Sequence, residues 1–190
     1  MKVCGITRLK DAQFAEACGA WAVGVVMCSN SPRAVSLATA RKIFTGLSPS
    51  TVTVAVTHTM AEGDIREILT LHPTALQIYH PHYIQKELQV KVFRVVKQGE
   101  PLPEDCDALV VDESHGAGKQ YNLSFAEDVV RQSHVPVILA GGLTPGNVRE
   151  AIHRIHPYAV DVSSGVEESP GIKDSEKVSA FLTICREIGS

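Results

Sequence analysis

Two side chains in this sequence are of the types that move protons, and each closes a short apolar run. Cys4 ends the run in MKVCGIT and is followed at once by Gly5; Asp112 ends the run ALVVD. A thiolate removes a proton as a base, and a carboxyl group held protonated delivers one. Taken singly, Cys4 also reads as a small core residue and Asp112 as a cap on the loop after it. A second pair of positions suits an anion. Gly141-Gly142 in VILAGGL lets backbone approach a ligand closely, and Ser164-Gly165 in DVSSGVE offers backbone N–H groups at the start of a short turn. Either alone is readable as a turn. Two at consecutive strand ends match what a phosphate needs, because it takes several converging donors.

Such residues act together only if strand ends gather in one place. Eight short, β-branched runs recur along the chain, at 2–6, 22–27, 52–57, 75–79, 91–96, 108–112, 137–141 and 159–164. Helical signals fill most of the gaps. LKDAQFAEACG ends on Gly19 as a C-terminal cap, and SLATARKIFTG starts with Ser36 as an N-cap. Thr144-Pro145 gives an N-cap followed by proline at the first helical position. AEGDIREILTLH, NLSFAEDVVRQSH and DSEKVSAFLTICREI follow the same template. Strands that alternate with helices imply parallel pairing through crossovers. Eight units of roughly 24 residues predict a compact (βα)8 TIM barrel at the small end of that fold. An open doubly wound sheet is the alternative; even spacing favours closure. QGEPLPEDCD leaves little room for a helix, so a shortened segment is expected after the fifth strand. Residues 1–190 are expected to form one domain, without a linker or low-complexity tract.

In such a barrel the active site lies at the C-terminal ends of the strands. Cys4, Arg33 of CSNSPR, His58, Gln77, Tyr79, His80, Asp112, the loop HGAGK and the two anion-suited loops all fall at such ends. Period-two alternation puts Lys2 and Cys4 on one face of the first strand, Val110 and Asp112 on one face of the sixth, and Asp161 and Ser163 on one face of the eighth. The first and eighth strands are neighbours in a closed barrel. Lys2 and Asp161 are therefore expected to meet inside it beneath Cys4, within about 8 Å, the screening length at physiological salt.

Composition narrows the partners. Hydrophobic residues make up 44% and charged residues 21%, and the net charge of −3 provides no basic field for nucleic acid. The start lacks the apolar region of a signal peptide, and no apolar run is long enough to span a membrane, so a cytoplasmic setting is expected. Cys4, Cys18, Cys28, Cys106 and Cys185 form no CxxC pair and are expected as free thiols. Zinc is a weak alternative: Cys4, Cys28, His58, His80 and His115 have none of the short ligand spacings, so no metal is expected.

With these features assembled, the chain resembles the phosphoribosylanthranilate isomerases of tryptophan biosynthesis. The likeness rests on MKVCGIT, SPR, the strand-six aspartate with its glycine loop, LAGGLTPGNV and DVSSGVEESPGIKD, in order over nearly the whole chain. It implies a (βα)8 barrel that needs no metal or organic cofactor and acts on a small phosphosugar. The implied reaction is the Amadori rearrangement of N-(5-phosphoribosyl)anthranilate to 1-(2-carboxyphenylamino)-1-deoxyribulose 5-phosphate. It further implies Cys4 as general base, Asp112 as general acid, Arg33 at the anthranilate end, and the backbone of Gly141-Gly142 and Ser164-Gly165 on the phosphate. Asp161, beside Lys2, is counted with the substrate-binding residues. The sequence departs from the family at the fourth strand, where Tyr79 replaces the usual histidine, and in the loop ESHGAGK.

The chemistry sets demands on these groups. An acid protonates the ribose ring oxygen as the C1′–O bond breaks; a base then removes the C2′ proton. A free cysteine, with pKa about 8.5, is mostly a thiol at pH 7. The site must favour the thiolate, or the thiol must lose its proton as substrate binds; Lys2 is one candidate influence. Other phosphosugar barrels, the indole-glycerol-phosphate synthases and ribulose-phosphate epimerases, share the phosphate end but lack the K-x-C-G opening. A histidine-pathway isomerase would carry carboxylates at both catalytic positions. A non-catalytic barrel is opposed by the joint presence of base, acid, arginine and phosphate loops. A homo-oligomer is left open, because one sequence displays no surface patches.

Overall fold

The computed structural model describes residues 1–112 and 123–189. Eight parallel strands close into a barrel in chain order: β1 (Lys2–Val3), β2 (Ala22–Val26), β3 (Val52–Thr57), β4 (Ala75–Ile78), β5 (Lys91–Val96), β6 (Ala108–Val111), β7 (Val137–Leu139) and β8 (Ala159–Val162). Closure is made by β1 against β8, with Lys2 opposite Asp161 and Val3 opposite Val162. Several strands stop a little before their apolar runs do, and the leftover residues, Cys4, Tyr79 and Asp112 among them, form the rim.

Alternation sorts the side chains into two apolar sets, as a parallel sheet covered on both faces requires. Cys4, Val54, Val56, Ala75, Phe93, Val95, Val110 and Ile138 fill the barrel. Val3, Val23, Val25, Leu76, Leu109 and Val160 pack outward under the helices. Lys2, Gln77 and Asp161 are polar exceptions inside, and Lys2 is fully buried.

The helices are α1 (Leu9–Ala17), α2 (Leu37–Thr45), α3 (Glu62–Leu69), α4 (Leu123–Gln132), α5 (Val148–Ile155) and α6 (Ser175–Ile188). Ser36 caps α2 as expected, its side chain accepting from the Thr39 N–H. Asp174 caps α6 in the same way, accepting from the N–H groups of Glu176 and Lys177. The expected helix start at Thr144-Pro145 is displaced: α5 begins at Val148, after Asn147. Asn147 Oδ1 accepts from the Thr144 N–H at 2.8 Å, and its Nδ2 donates to the Gly142 carbonyl at 2.9 Å. These bonds wind 142–147 into a turn before the helix can start.

The segment after β5 is helix-free, as expected, and the one after β4 holds only a 3-10 turn, Lys86–Leu88. After β8 come a second 3-10 turn, Ser164–Val166, and a hairpin of β9 (Glu167–Ser169) with β10 (Ile172–Lys173). No helix among the described residues is long and apolar enough to cross a membrane.

Candidate active site

Cys4 leaves β1 but stays tied to the barrel, its N–H donating to the Val162 carbonyl at 2.8 Å. The side chain faces inward and is 8% exposed as a residue. Beneath it the Lys2 ammonium donates to Asp161 Oδ2 at 2.5 Å and to Gln77 Oε1 at 2.9 Å. The expected pairing thus holds, and Gln77 joins it. Asp161 Oδ1 is buried with no hydrogen-bond partner among the described residues, and Asp161 lines the cavity above the pair.

Burial alone would lower the Lys2 ammonium, but the Asp161 carboxylate and Cys4 hold it above the ordinary lysine value. For Cys4 burial wins: it pushes the thiol up, and the pull of Lys2 in the other direction does not offset it. At neutral pH the resting side chain is therefore a thiol.

Gly24 on β2 makes room for both. A methyl group there would lie 2.7 Å from Cys4 Sγ, 3.1 Å from Lys2 Cε and 3.2 Å from Cys4 Cα. Sequence reasoning passed over Gly24, although a glycine inside a β-branched strand signals a close approach.

Asp112 follows β6 and is 9% exposed. The Tyr79 hydroxyl donates to its Oδ2 at 3.3 Å. The Tyr79 ring stacks on His58 with centroids 4.0 Å apart and planes at 30°. His58 Nδ1 in turn shares a hydrogen bond of 3.0 Å with Ser29 Oγ. Burial, with Asp112 adding to it, pushes the Tyr79 phenol far above its ordinary value, so it stays protonated. The loop ESHGAGK with His115 lies outside the described residues.

Gly141 and Gly142 both take left-handed backbone, with φ of 88° and 64°, which glycine adopts without steric cost. Together with Ser164 they line the same cavity as Cys4 and Asp112. Gly165 sits just behind: a Cβ there would fall 1.8 Å from the Leu143 carbonyl oxygen. The loops after β7 and β8 thus touch backbone to backbone.

Arg33 reaches the cavity because its loop folds back, the Val35 N–H donating to the Val26 carbonyl at 2.9 Å. Gly5 permits the approach; a Cβ there would lie 2.6 Å from both Arg33 Cδ and Ser163 Oγ. The guanidinium is already engaged. Its Nε and Nη2 donate to the two Glu167 oxygens at 2.9 and 2.7 Å. Lys173 donates to Glu167 Oε1 at 2.9 Å and to the Ser163 carbonyl at 3.0 Å. Burial would raise the Glu167 carboxyl, but Arg33 and Lys173 together hold it below the usual range. Neither Glu167 nor Lys173 was singled out from sequence, although opposite charges flank the Pro170-Gly171 turn of that stretch.

Cys18, Cys28, Cys106 and Cys185 do not line this cavity. Among the described residues, no three His, Cys, Asp or Glu side chains cluster so as to hold a metal ion.

A closed eight-stranded barrel with titratable groups gathered at its strand C-termini is the architecture of a TIM-barrel enzyme. Comparison with known proteins then gives the family. The family model for N-(5'phosphoribosyl)anthranilate (PRA) isomerase matches residues 1–183. An N-(5'-phosphoribosyl)anthranilate isomerase from Methanoregula boonei is 54% identical over 188 residues, covering 98% of this chain and 96% of the relative. The crystal structure of phosphoribosyl anthranilate isomerase from Thermus thermophilus is similar at a TM-score of 0.86 and 32% identity, over 98% of both chains. Another isomerase structure, in complex with reduced 1-(o-carboxyphenylamino)-1-deoxyribulose 5-phosphate, has a TM-score of 0.80 and 30% identity over 98% of this chain and 97% of its own. The chain belongs to the phosphoribosylanthranilate isomerase family.

Proposed function

We propose that the chain converts N-(5-phosphoribosyl)anthranilate to 1-(2-carboxyphenylamino)-1-deoxyribulose 5-phosphate, with Cys4 as general base and Asp112 as general acid. The observation that carries this reading is a single cavity lined by Cys4, Asp112, Arg33 and the glycine-bearing loops after β7 and β8. The ligand of the solved relative, a reduced form of this product, supports the substrate class.

The phosphate rests on the backbone N–H groups of the Gly141-Gly142 and Ser164-Gly165 loops, and the anthranilate carboxylate faces Arg33. Arg33, Lys173 and Glu167 together carry one net positive charge, which one carboxylate neutralises. Asp161 Oδ1 accepts a hydrogen bond from a sugar hydroxyl. Asp112 gives its proton to the ring oxygen as the C1′–O bond opens, leaving a Schiff base. Cys4 as thiolate takes the C2′ proton, and the resulting enolamine tautomerises to the ketone. The Lys2 ammonium under the sulfur favours the thiolate that burial opposes.

Turnover of freshly generated substrate tests the assignment. A positioned acid or base contributes ~10²–10⁴ in rate, so Cys4→Ala and Asp112→Asn should each lower kcat at least ~100-fold with little change in KM. Arg33→Ala should mainly raise KM, because a guanidinium recognises a carboxylate. Normal turnover by Cys4→Ala would remove the base assignment. Growth of a tryptophan auxotroph supplied with the gene tests the overall activity.

A further inference from the structure

We propose that Glu167 is a positioning residue for substrate recognition: it holds Arg33 by one edge of the guanidinium, so that the other edge is the one that receives the anthranilate carboxylate. This rests on Arg33 facing that carboxylate, as proposed above. A guanidinium carries its N–H donors in a rigid fork with two usable edges. Arg33 Nε donates to Glu167 Oε1 at 2.9 Å and Nη2 donates to Oε2 at 2.7 Å, a bidentate pair that occupies the side edge. Among the described residues the guanidinium hydrogen-bonds to Glu167 alone. The end edge, Nη1 with the second hydrogen of Nη2, is what remains, and Arg33 lines the cavity that Cys4 and Asp112 also line.

Glu167 can orient Arg33 because it is itself fixed. It opens β9 and pairs across the hairpin with Lys173 of β10. The Lys173 ammonium donates to Glu167 Oε1 at 2.9 Å, and the Gly171 N–H donates to the same oxygen at 3.2 Å. From α6 the Lys177 ammonium donates to the Glu167 carbonyl at 2.9 Å. The Glu167 and Lys173 side chains are both buried. A donor held in place before the ligand arrives spares binding the cost of ordering a long side chain. The charges agree with this role. Arg33 and Glu167 alone would form a neutral pair, with little net pull on an anion; Lys173 restores one positive charge to the group. Because Glu167 fills the side edge, an incoming carboxylate has a single register on the fork, and that register fixes the aromatic end of the substrate.

Binding of two stable compounds reads this directly: reduced 1-(o-carboxyphenylamino)-1-deoxyribulose 5-phosphate, the ligand of the solved relative, and its analogue lacking the carboxyl group. The protein should prefer the first by about 10- to 100-fold in Kd, the worth of hydrogen bonding between charged groups. Glu167→Asp keeps every charge but shortens the side chain by one carbon, about 1.5 Å, so the fork is no longer held where it was. The preference should then fall about tenfold, the lower end of the same range, while the carboxyl-free analogue keeps its affinity. Glu167→Gln removes the anchor together with its charge and should lower the preference as well. A mere counter-charge would do the opposite, since Arg33 and Lys173 would then meet the ligand without Glu167 to offset them. An unchanged preference in Glu167→Asp, including one in which both compounds weaken equally, would overturn the proposal, as would a wild-type or higher preference in Glu167→Gln. Arg33→Ala separates the two readings. If it leaves the preference intact, the carboxylate does not meet Arg33 and the underlying reading fails. If it abolishes the preference while Glu167→Asp retains it, the role of Glu167 alone is lost.

Discussion

Gly24→Ala adds one methyl group to β2, directly against the sulfur of Cys4. The backbone of Gly24 is not left-handed, so alanine meets no conformational penalty there and the effect is steric. The new carbon would stand 2.7 Å from Cys4 Sγ, whereas non-bonded heavy atoms settle at about 3.5–4.0 Å. Relief requires a displacement of roughly 1 Å. The backbone of Cys4 cannot absorb it, because the Cα is already 3.2 Å away, nor can the stem of Lys2 at 3.1 Å. The sulfur itself must move. A 1 Å misplacement of a reacting group costs on the order of 100-fold in rate, or ~2.7 kcal/mol of activation free energy.

Stability should change far less than activity. Overpacking costs about 1–3 kcal/mol. Loss of glycine freedom in the unfolded chain returns about 0.4–1 kcal/mol. The assay is steady-state turnover at saturating substrate beside a thermal melt. We expect kcat down about 100-fold with Tm lower by only a few degrees, given ~2–4 °C per kcal/mol at this size. Wild-type kcat in a folded Gly24→Ala would refute the reasoning, since it would mean that the sulfur tolerates displacement and does not need its position.

Two further outcomes follow from the charges. Because burial raises the Cys4 thiol above its ordinary value of about 8.5, the rate at which a small alkylating agent labels Cys4 in the folded protein should climb close to tenfold per pH unit from pH 6 to 8; a flat labelling rate over that range would mean that the resting side chain is already a thiolate. Glu167 is depressed in the folded protein, so its contribution to stability is present above the unfolded value of about 4.3 and is lost as pH falls through the folded value. Glu167→Gln leaves the buried Lys173 and the half-buried Arg33 without their counter-charge and should cost ~3–5 kcal/mol at pH 7 in urea unfolding; the gap to the parent should shrink toward pH 3, and an equal gap at both pH values would argue against the ion pairs as its source.

Much of this arrangement was legible from single strands. Period-two alternation was enough to turn Lys2 and Cys4 inward together, and adjacency of the first and last strands in a closed barrel was enough to bring Lys2 to Asp161. The glycine pairs after β7 and β8 were visible as turn chemistry. Lateral relations were harder to read. Gly24 meets Cys4 just past the end of β1, and Tyr79 meets Asp112 across the mouth, just past β6; neither relation is written in the segment that carries the residue. Glu167 and Lys173 meet through a hairpin whose pairing depends on the turn between them. The start of α5 was misplaced because the side chain of Asn147 completes a turn that the Thr-Pro signal alone does not reveal.

The bond between Lys2 and Asp161 joins positions 159 residues apart. At a synthesis rate of about 5–20 residues per second, Cys4 waits roughly 10–30 s before its partner strand exists. Throughout that interval its sulfur has neither the ammonium beneath it nor the roof of the β8 loop, and it is open to any electrophile in the surroundings. The residue proposed as the base is thus also a clock for the fold. Pulse labelling of Cys4 on nascent or refolding chains should lose signal only at the moment the barrel shuts, reporting the last stitch of assembly through the same atom that is proposed as the base.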